Sequence, residues 1–149
     1  MSLSTNIMTA LKDAMRSKDQ TALTALRAVK SAILLAQTET GSKEELTEEQ
    51  ELKILQKQVK QRKDSAAIYV EQGREDLAEP EIAEAKVISQ FLPEAMSEEA
   101  IAKVVEDVII KTGADGMKDM GKVMGMVSGQ LAGKADGKTI SNIVKSKLG

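Results

Sequence analysis

Residues Thr47 to Gly73 read TEEQELKILQKQVKQRKDSAAIYVEQG, and this stretch decides the fold class. Thr47 followed by Gln50 is a capping box. The threonine side chain takes the third backbone N–H, and the glutamine reaches back to the threonine N–H. Leu52, Leu55, Val59, Arg62, Ala66, Tyr69 and Gly73 then follow at spacings of three and four residues. That is a helical seam of the coiled-coil kind, with one arginine in it. The spacing predicts a helix from Thr47 to about Gln72, closed by Gly73. Arg62 on an apolar seam needs a partner, and an ion pair with an acid such as Glu75 or Asp76 is the expectation.

Working outward, every neighbouring segment carries the same period. Ser4 to about Ser17 places Ile7, Met8, Leu11, Ala14 and Met15 on one face. Asp19 is a candidate N-cap for a second helix, about Gln20 to Thr40, carrying Leu23, Leu26, Ala28, Val29, Ile33, Leu34 and Leu35 and stopping at Gly41. Asp76 and Glu79 have the spacing of a second capping box, which would put Pro80 in the first turn of a helix running to about Phe91. Leu92-Pro93-Glu94 breaks the helical pattern, because a residue before proline is pushed out of the helical region. Ser97 then caps a helix to about Thr112, with Gly113 behind it. Lys118 to Leu131 is the next, and Asp136 caps a last helix, about Gly137 to Leu148. No segment alternates with period two for long. The expectation is an all-α protein: an N-terminal helical domain over 1–92, a linker at 93–96 and a compact three-helix tail over 97–149.

Composition narrows the chemistry. The 149 residues are 42% hydrophobic but 1% aromatic, so a core must be built from aliphatic side chains and methionine. Histidine, cysteine and tryptophan are absent, and Tyr69 and Phe91 are the single tyrosine and phenylalanine. Histidine-based triads, cysteine nucleophiles and the usual zinc sites are thereby excluded. So are the aromatic platforms on which single-strand readers stack bases. Pairing Ser65 or Ser128 with a lysine is enforced by no spacing, and no catalytic residue, metal ligand or cofactor is assigned. The acids Glu44, Glu45, Glu48, Glu49 and Glu51 read as charges favoured by a helix N-terminus rather than as a metal site. No apolar run approaches the ~20 residues of a membrane span. The first residues, MSLSTNIMTALKDAM, lack a basic leader, and a cytoplasmic location is the default expectation.

Two basic regions stand out. Lys53, Lys57 and Lys60 line one helical face, with Arg62 and Lys63 nearby, as a candidate partner-binding strip. Met117 to Gly149 holds six lysines and two acids, a net +4 on a chain whose total is −2. Within it, GKVMGMVSGQLAGKADG repeats glycine at every fourth position from Gly121 to Gly137. Gly121, Gly125 and Gly129 are expected to leave a side-chain-free groove into which another helix packs. A bulky residue at Gly125 would then overpack it. Gly133 suits a left-handed position, and the GKADGK turn offers lysines beside backbone amides at a helix start, a ready place for phosphate. It does not match a nucleotide-binding P-loop, and polar residues interrupt any membrane-helix reading of the glycines.

Five stretches taken together, KQRKDS (Lys60–Ser65), GREDLA (Gly73–Ala78), FLPEAMSEEAI (Phe91–Ile101), DMGKVMG (Asp119–Gly125) and GKADGK (Gly133–Lys138), resemble the GatB/YqeY family along essentially the whole chain. The resemblance implies an all-helical fold whose tail is similar to the tail of GatB, a component of the aspartyl/glutamyl-tRNA amidotransferase. It implies the family label of carbon–nitrogen ligase activity with glutamine as amido-nitrogen donor. It also implies a tail that holds tRNA, with Lys122, Lys134 and Lys138 on phosphates and Gly121, Gly125 and Gly133 giving backbone access. The large catalytic region of GatB has no counterpart here. The expectation is therefore a tRNA-binding accessory protein without catalysis of its own, partnered by amidotransferase subunits or another translation-related protein. The alternative is a helical protein-interaction adaptor that binds no RNA.

Overall fold

The computed structural model describes residues 2–39 and 45–149. Among these the chain is helical throughout and divides into two compact units, Met1–Leu92 and Pro93–Gly149. The predicted stop at Gly41 and the acid Glu44 lie outside the described residues.

The first unit contains α1 (Leu3–Ser17), α2 (Gln20–Glu39), α3 (Glu48–Glu71) and α4 (Glu75–Ser89). Helix α1 begins where the Ser2 hydroxyl accepts the Thr5 N–H, and it ends at Lys18, which adopts a left-handed conformation (φ 59°). Asp19 caps α2 as expected, its carboxylate accepting the Ala22 N–H at 3.1 Å. Both halves of the Thr47 capping box are formed: the Gln50 N–H donates to the Thr47 hydroxyl at 3.2 Å, and the Thr47 N–H to Gln50 Oε1 at 2.8 Å. A cap of this kind stabilises a helix by about 1 kcal/mol.

Ile7, Leu11 and Ala14 of α1, Leu23, Leu26, Val29 and Ile33 of α2, Leu55 and Val59 of α3, and Ala85 and Ile88 of α4 form one buried cluster. Each fully buried aliphatic side chain contributes roughly 1.5–3 kcal/mol. The apolar stripes are narrower than the sequence reading made them. Met8, Met15, Leu34 and Leu35 are exposed, because a helix packed from one side buries only the centre of its stripe.

Helices α3 and α4 form an antiparallel hairpin turned at Gly73 (φ 72°) and Arg74. Only its base enters the cluster. Beyond that base the seam is lined by Arg62, Ala66 and Ala78, and the last two lie outside the main cluster. Two expectations are corrected here. Arg62 pairs with neither Glu75 nor Asp76. Its Nε lies 3.5 Å from Glu84 Oε1, with both side chains largely buried, and its Nη1 donates to the Gln58 carbonyl and side chain. Glu84 is the acid that the hairpin brings level with Arg62, ten residues past the turn. Nor does Asp76 cap α4. The helix starts at Glu75, and Asp76 is held by the Arg74 guanidinium through two hydrogen bonds of 3.0 and 2.9 Å. Pro80 consequently sits inside α4, beyond its first turn.

The second unit contains α5 (Glu98–Thr112), α6 (Met120–Gln130) and α7 (Gly137–Leu148), with a single 3-10 turn, Met117–Asp119, ahead of α6. Ser97 caps α5, its hydroxyl accepting the Ala100 N–H at 3.2 Å, and left-handed Gly113 (φ 65°) closes it. The buried core is Ile101, Val105, Val108, Val123, Val127, Leu131, Ile140 and Val144. A backbone bond from the Met96 N–H to the Lys134 carbonyl, 2.9 Å, ties the segment before α5 to the α6–α7 loop.

Candidate nucleic-acid interface

Helix α6 owes its orientation to Val123 and Val127, which are fully buried. The face opposite them is exposed and carries Gly121, Lys122, Gly125, Met126, Gly129 and Gln130. The expected groove under a packed neighbour is therefore not present. A Cβ built on Gly121, Gly125 or Gly129 meets nothing within 4 Å. The period of four that suggested a packing groove instead keeps one solvent face of α6 bare, because the buried stripe is carried by the valines between the glycines. Overpacking by a side chain at Gly125 is accordingly not expected within this chain.

The α6–α7 loop holds the other candidates. Leu131 anchors it in the core, and Gly133 is buried and left-handed (φ 80°), as its sequence context suggested. The Lys134 N–H donates to the Leu131 carbonyl at 2.9 Å, and its own carbonyl accepts from Met96, so the backbone at Lys134 is fixed at both ends. The Lys134 side chain is exposed, as are those of Lys122 and Lys138, and none of the three makes an ion pair among the described residues. The structure thus puts all three lysines on the α6–α7 part of one unit, with their charges uncompensated. The start of α7 is less open than the GKADGK turn implied. The Asp136 carboxylate accepts the Thr139 N–H at 2.7 Å, so a negative charge already sits at that terminus. An anion is better served by the lysine side chains than by those amides.

Charge within the unit is segregated. Residues 93–116 hold two basic and six acidic side chains, a net −4, against +4 for residues 117–149. Among the described residues one ion pair joins the two halves, the Lys147 ammonium on Glu106 at 2.6 Å, a hydrogen bond that holds the Glu106 carboxyl below its ordinary value. Beside that bridge, an open groove of about 400 Å³ lies between α5 and α7, lined by Glu98, Glu99, Thr139, Asn142 and Lys147 among others. Sequence reading missed this groove. Its residues come from segments about forty apart, and each one alone reads as an ordinary solvated side chain.

The strip on α3 fares differently. Lys53, Lys57, Lys60 and Lys63 are exposed, but Lys53 is paired with Glu49 at 2.9 Å and Lys60 with Asp64 at 3.0 Å. Arg62 is turned inward to Glu84. Among the described residues only Lys57 and Lys63 of this strip carry unpaired charge, and the strip is a weak anion surface. Glu45, Glu48, Glu49 and Glu51 do not converge on a common centre with any other ligand-bearing group among the described residues.

Two fungal proteins, both named "Altered inheritance of mitochondria protein 41, mitochondrial", are similar to the chain. The Kluyveromyces lactis protein is 38% identical over 99 residues, covering 64% of this chain and 53% of that protein. The Clavispora lusitaniae protein is 38% identical over 97 residues, covering 63% and 55% respectively. The chain spans about half the length of these curated relatives. Their names overturn the expectation of a cytoplasmic location. The lack of a basic leader in the first residues carried no information on compartment. A family model described as Yqey-like protein matches residues 4–148, nearly the whole chain and both helical units. The chain belongs to the YqeY-like protein family.

Proposed function

We propose that this protein is a tRNA-binding accessory factor that grips the RNA by shape and phosphate and performs no chemistry of its own. The observation that carries the reading is the α6–α7 surface. Three exposed lysines without an ion pair among the described residues, Lys122 on α6, Lys134 in the α6–α7 loop and Lys138 on α7, belong to the same unit as three α6 glycines that leave the backbone uncovered. A phosphate backbone can approach such a face closely, and lysines then supply the charge. The acidic α5 side repels phosphate and confines contact to one half of the unit. With one tyrosine and one phenylalanine in the chain, stacking on bases contributes little. Partnership with tRNA-dependent amidotransferase subunits, and with it the carbon–nitrogen ligase label, belongs to the same proposal and rests on the resemblance of the tail to that of GatB. The adaptor alternative, built on the α3 lysine strip and the glycine groove, is less favoured, since most of that strip is internally neutralised and the glycines form an open face rather than a groove.

The test is equilibrium binding of the full chain to bulk tRNA at two salt concentrations, beside a Lys134→Glu/Lys138→Glu variant. The expected result is binding that weakens steeply with salt and falls at least roughly tenfold in the variant, whose melting curve is unchanged. Binding that survives the double reversal would refute the site. No binding at low salt would refute the function.

A further inference from the structure

One flank of the α1–α2 pair carries a second surface with a different chemistry. A pocket of about 150 Å³ opens between the two helices, lined by Ser4, Ile7 and Met8 of α1 and by Lys30, Ile33 and Leu34 of α2. Ile7 and Ile33 are its buried floor, while Met8 and Leu34, 39% and 52% exposed, stand at its rim. Because both rim residues border one cavity, they belong to one surface. Successive helical residues are turned by about 100°, which shows how far that surface extends. Ser4, Met8, Lys12 and Met15 follow at spacings of four, four and three, and they fall on a single stripe about 80° wide. Leu23, Arg27, Lys30 and Leu34 follow at four, three and four, within about 60°. The pocket joins the two stripes, since each contributes side chains to it. Met15, 59% exposed, continues the apolar edge two turns along from Met8. Leu35 lies about 100° round α2 from Leu34, on the side away from Ile33, and is not part of the surface. From Ser4 to Met15 the groove runs about 16 Å, three helical turns.

The charges of this surface are of one sign. The two stripes hold Lys12, Arg27 and Lys30 and no acid. All three are exposed, and none makes an ion pair among the described residues. The acids near in sequence are turned elsewhere: Asp13 lies about 100° beyond Lys12 around α1, and Asp19 is engaged in capping α2. Glu48 and Glu51 reach α1 on its opposite flank, where they line a separate pocket with Ser2, Leu3 and Asn6. A phosphate backbone would use the three cations but leave Met8, Met15 and Leu34 in water. A flat lipid surface does not enter a cavity between two helices. An amphipathic helix with acidic edges answers both features, with aliphatic side chains for the pocket and carboxylates for the cations.

We propose that the α1–α2 groove docks a partner protein through an acidic amphipathic helix of that partner. One aliphatic side chain of the helix enters the pocket over Ile7 and Ile33, others lie along Met8 and Met15, and its carboxylates meet Lys12, Arg27 and Lys30. No residue of the α6–α7 face takes part, so the groove stands or falls independently of the RNA reading.

The experiment uses the full, isotope-labelled chain and a synthetic helical peptide of about 18 residues with leucine on one face and glutamate along its edges. A control peptide carries lysine in place of glutamate. The expected result is backbone amide shifts confined to residues 4–15 and 23–34. Affinity should fall several-fold between about 50 and about 300 mM salt, with no binding of the lysine peptide. Lys12→Glu with Lys30→Glu should weaken binding at least roughly tenfold, and Met8→Gln with Leu34→Gln by a similar factor. All four side chains are exposed, and glutamate and glutamine are good helix formers, so the circular dichroism melt of the charge variant should stay where it is. No shifts at a large excess of peptide, shifts mapping elsewhere, equal binding of the lysine peptide, or indifference to the charge variant would overturn the proposal. The same residues responding to a short RNA duplex or to phosphatidylserine vesicles, and not to the glutamate peptide, would overturn it in favour of a phosphate-bearing partner.

Discussion

Replacing the three exposed glycines of α6 by alanine should make the protein more stable. Glycine in a helix interior costs about 0.8–1.0 kcal/mol relative to alanine, because the unfolded chain loses more backbone freedom and no side chain covers the helix. The usual compensation is a close neighbour, and here there is none within 4 Å of the added Cβ at Gly121, Gly125 or Gly129. None of the three requires a positive φ. Gly125→Ala alone is therefore expected to stabilise the second unit by about 1 kcal/mol, and the triple variant by roughly 2–3 kcal/mol. For a unit of this size, 1 kcal/mol corresponds to about 4–8 °C in melting temperature. Because the lone tyrosine, Tyr69, lies in the first unit, fluorescence does not report on α6. Urea unfolding followed by circular dichroism, with hydrogen exchange of the α6 and α7 amides to locate the change, is the right assay. Unchanged or lower stability in Gly125→Ala would refute the reasoning, since it would mean that the face is covered. The tRNA titration adds a second reading. If the RNA uses the uncovered backbone, the triple alanine variant binds more weakly while melting higher. The sign of the affinity change then distinguishes a functional bare face from an incidental one.

Other perturbations follow from single features. Lys18→Gly should raise stability by about 0.5–1 kcal/mol, because Lys18 holds a left-handed conformation (φ 59°) that glycine adopts without a Cβ clash; a lower thermal midpoint would contradict this. Arg62→Met alone should destabilise the first unit by roughly 3 kcal/mol, leaving Glu84 largely buried beside an apolar chain, whereas adding Glu84→Leu should recover most of the loss. A double-mutant cycle by urea unfolding measures this, and strict additivity would show that the two groups do not interact. Glu51 is shifted above its ordinary value, first by burial and then by Glu45 and Glu48. Its folded form holds the proton more tightly than its unfolded form, so its contribution is full below the ordinary carboxylate value and is lost as pH rises through the raised one. Glu51→Gln should flatten that part of the stability–pH profile, and an unchanged slope would assign it to another group.

The seam and the caps were legible because they are local. Thr47, Ser97, Asp19 and Asp136 each cap the helix they were expected to cap, since a side chain reaching three residues ahead needs no tertiary information. Asp76 failed for a related reason. Its spacing fitted a cap, but Arg74 two residues earlier competes for the same carboxylate and wins with two charged hydrogen bonds. The partner of Arg62 was out of reach of sequence reasoning. Choosing Glu84 over Glu75 or Asp76 requires the register of the α3–α4 hairpin, which depends on where the turn falls. The glycine stripe was read correctly as a stripe and wrongly as a groove. Period four says which residues share a face, but only the packing of Val123 and Val127 says that the face turns outward. At the candidate interface, the sequence showed the lysines and their excess charge. It did not show that Asp136 already occupies the start of α7.

The backbone bond from Met96 to the Lys134 carbonyl has a consequence for portability. It makes the point where the chain enters the second unit part of that unit's own fabric. The amide that the entrance commits at Met96 is answered by a loop some forty residues later, not by whatever precedes it. A graft joined at about residue 93 therefore carries the Met96–Lys134 bond with it. Cutting slightly later, at Ser97, would keep all three helices yet release the loop that presents Lys134. The natural seam for transplanting this tail lies before Met96, and a graft that respects it carries its basic loop already held in place.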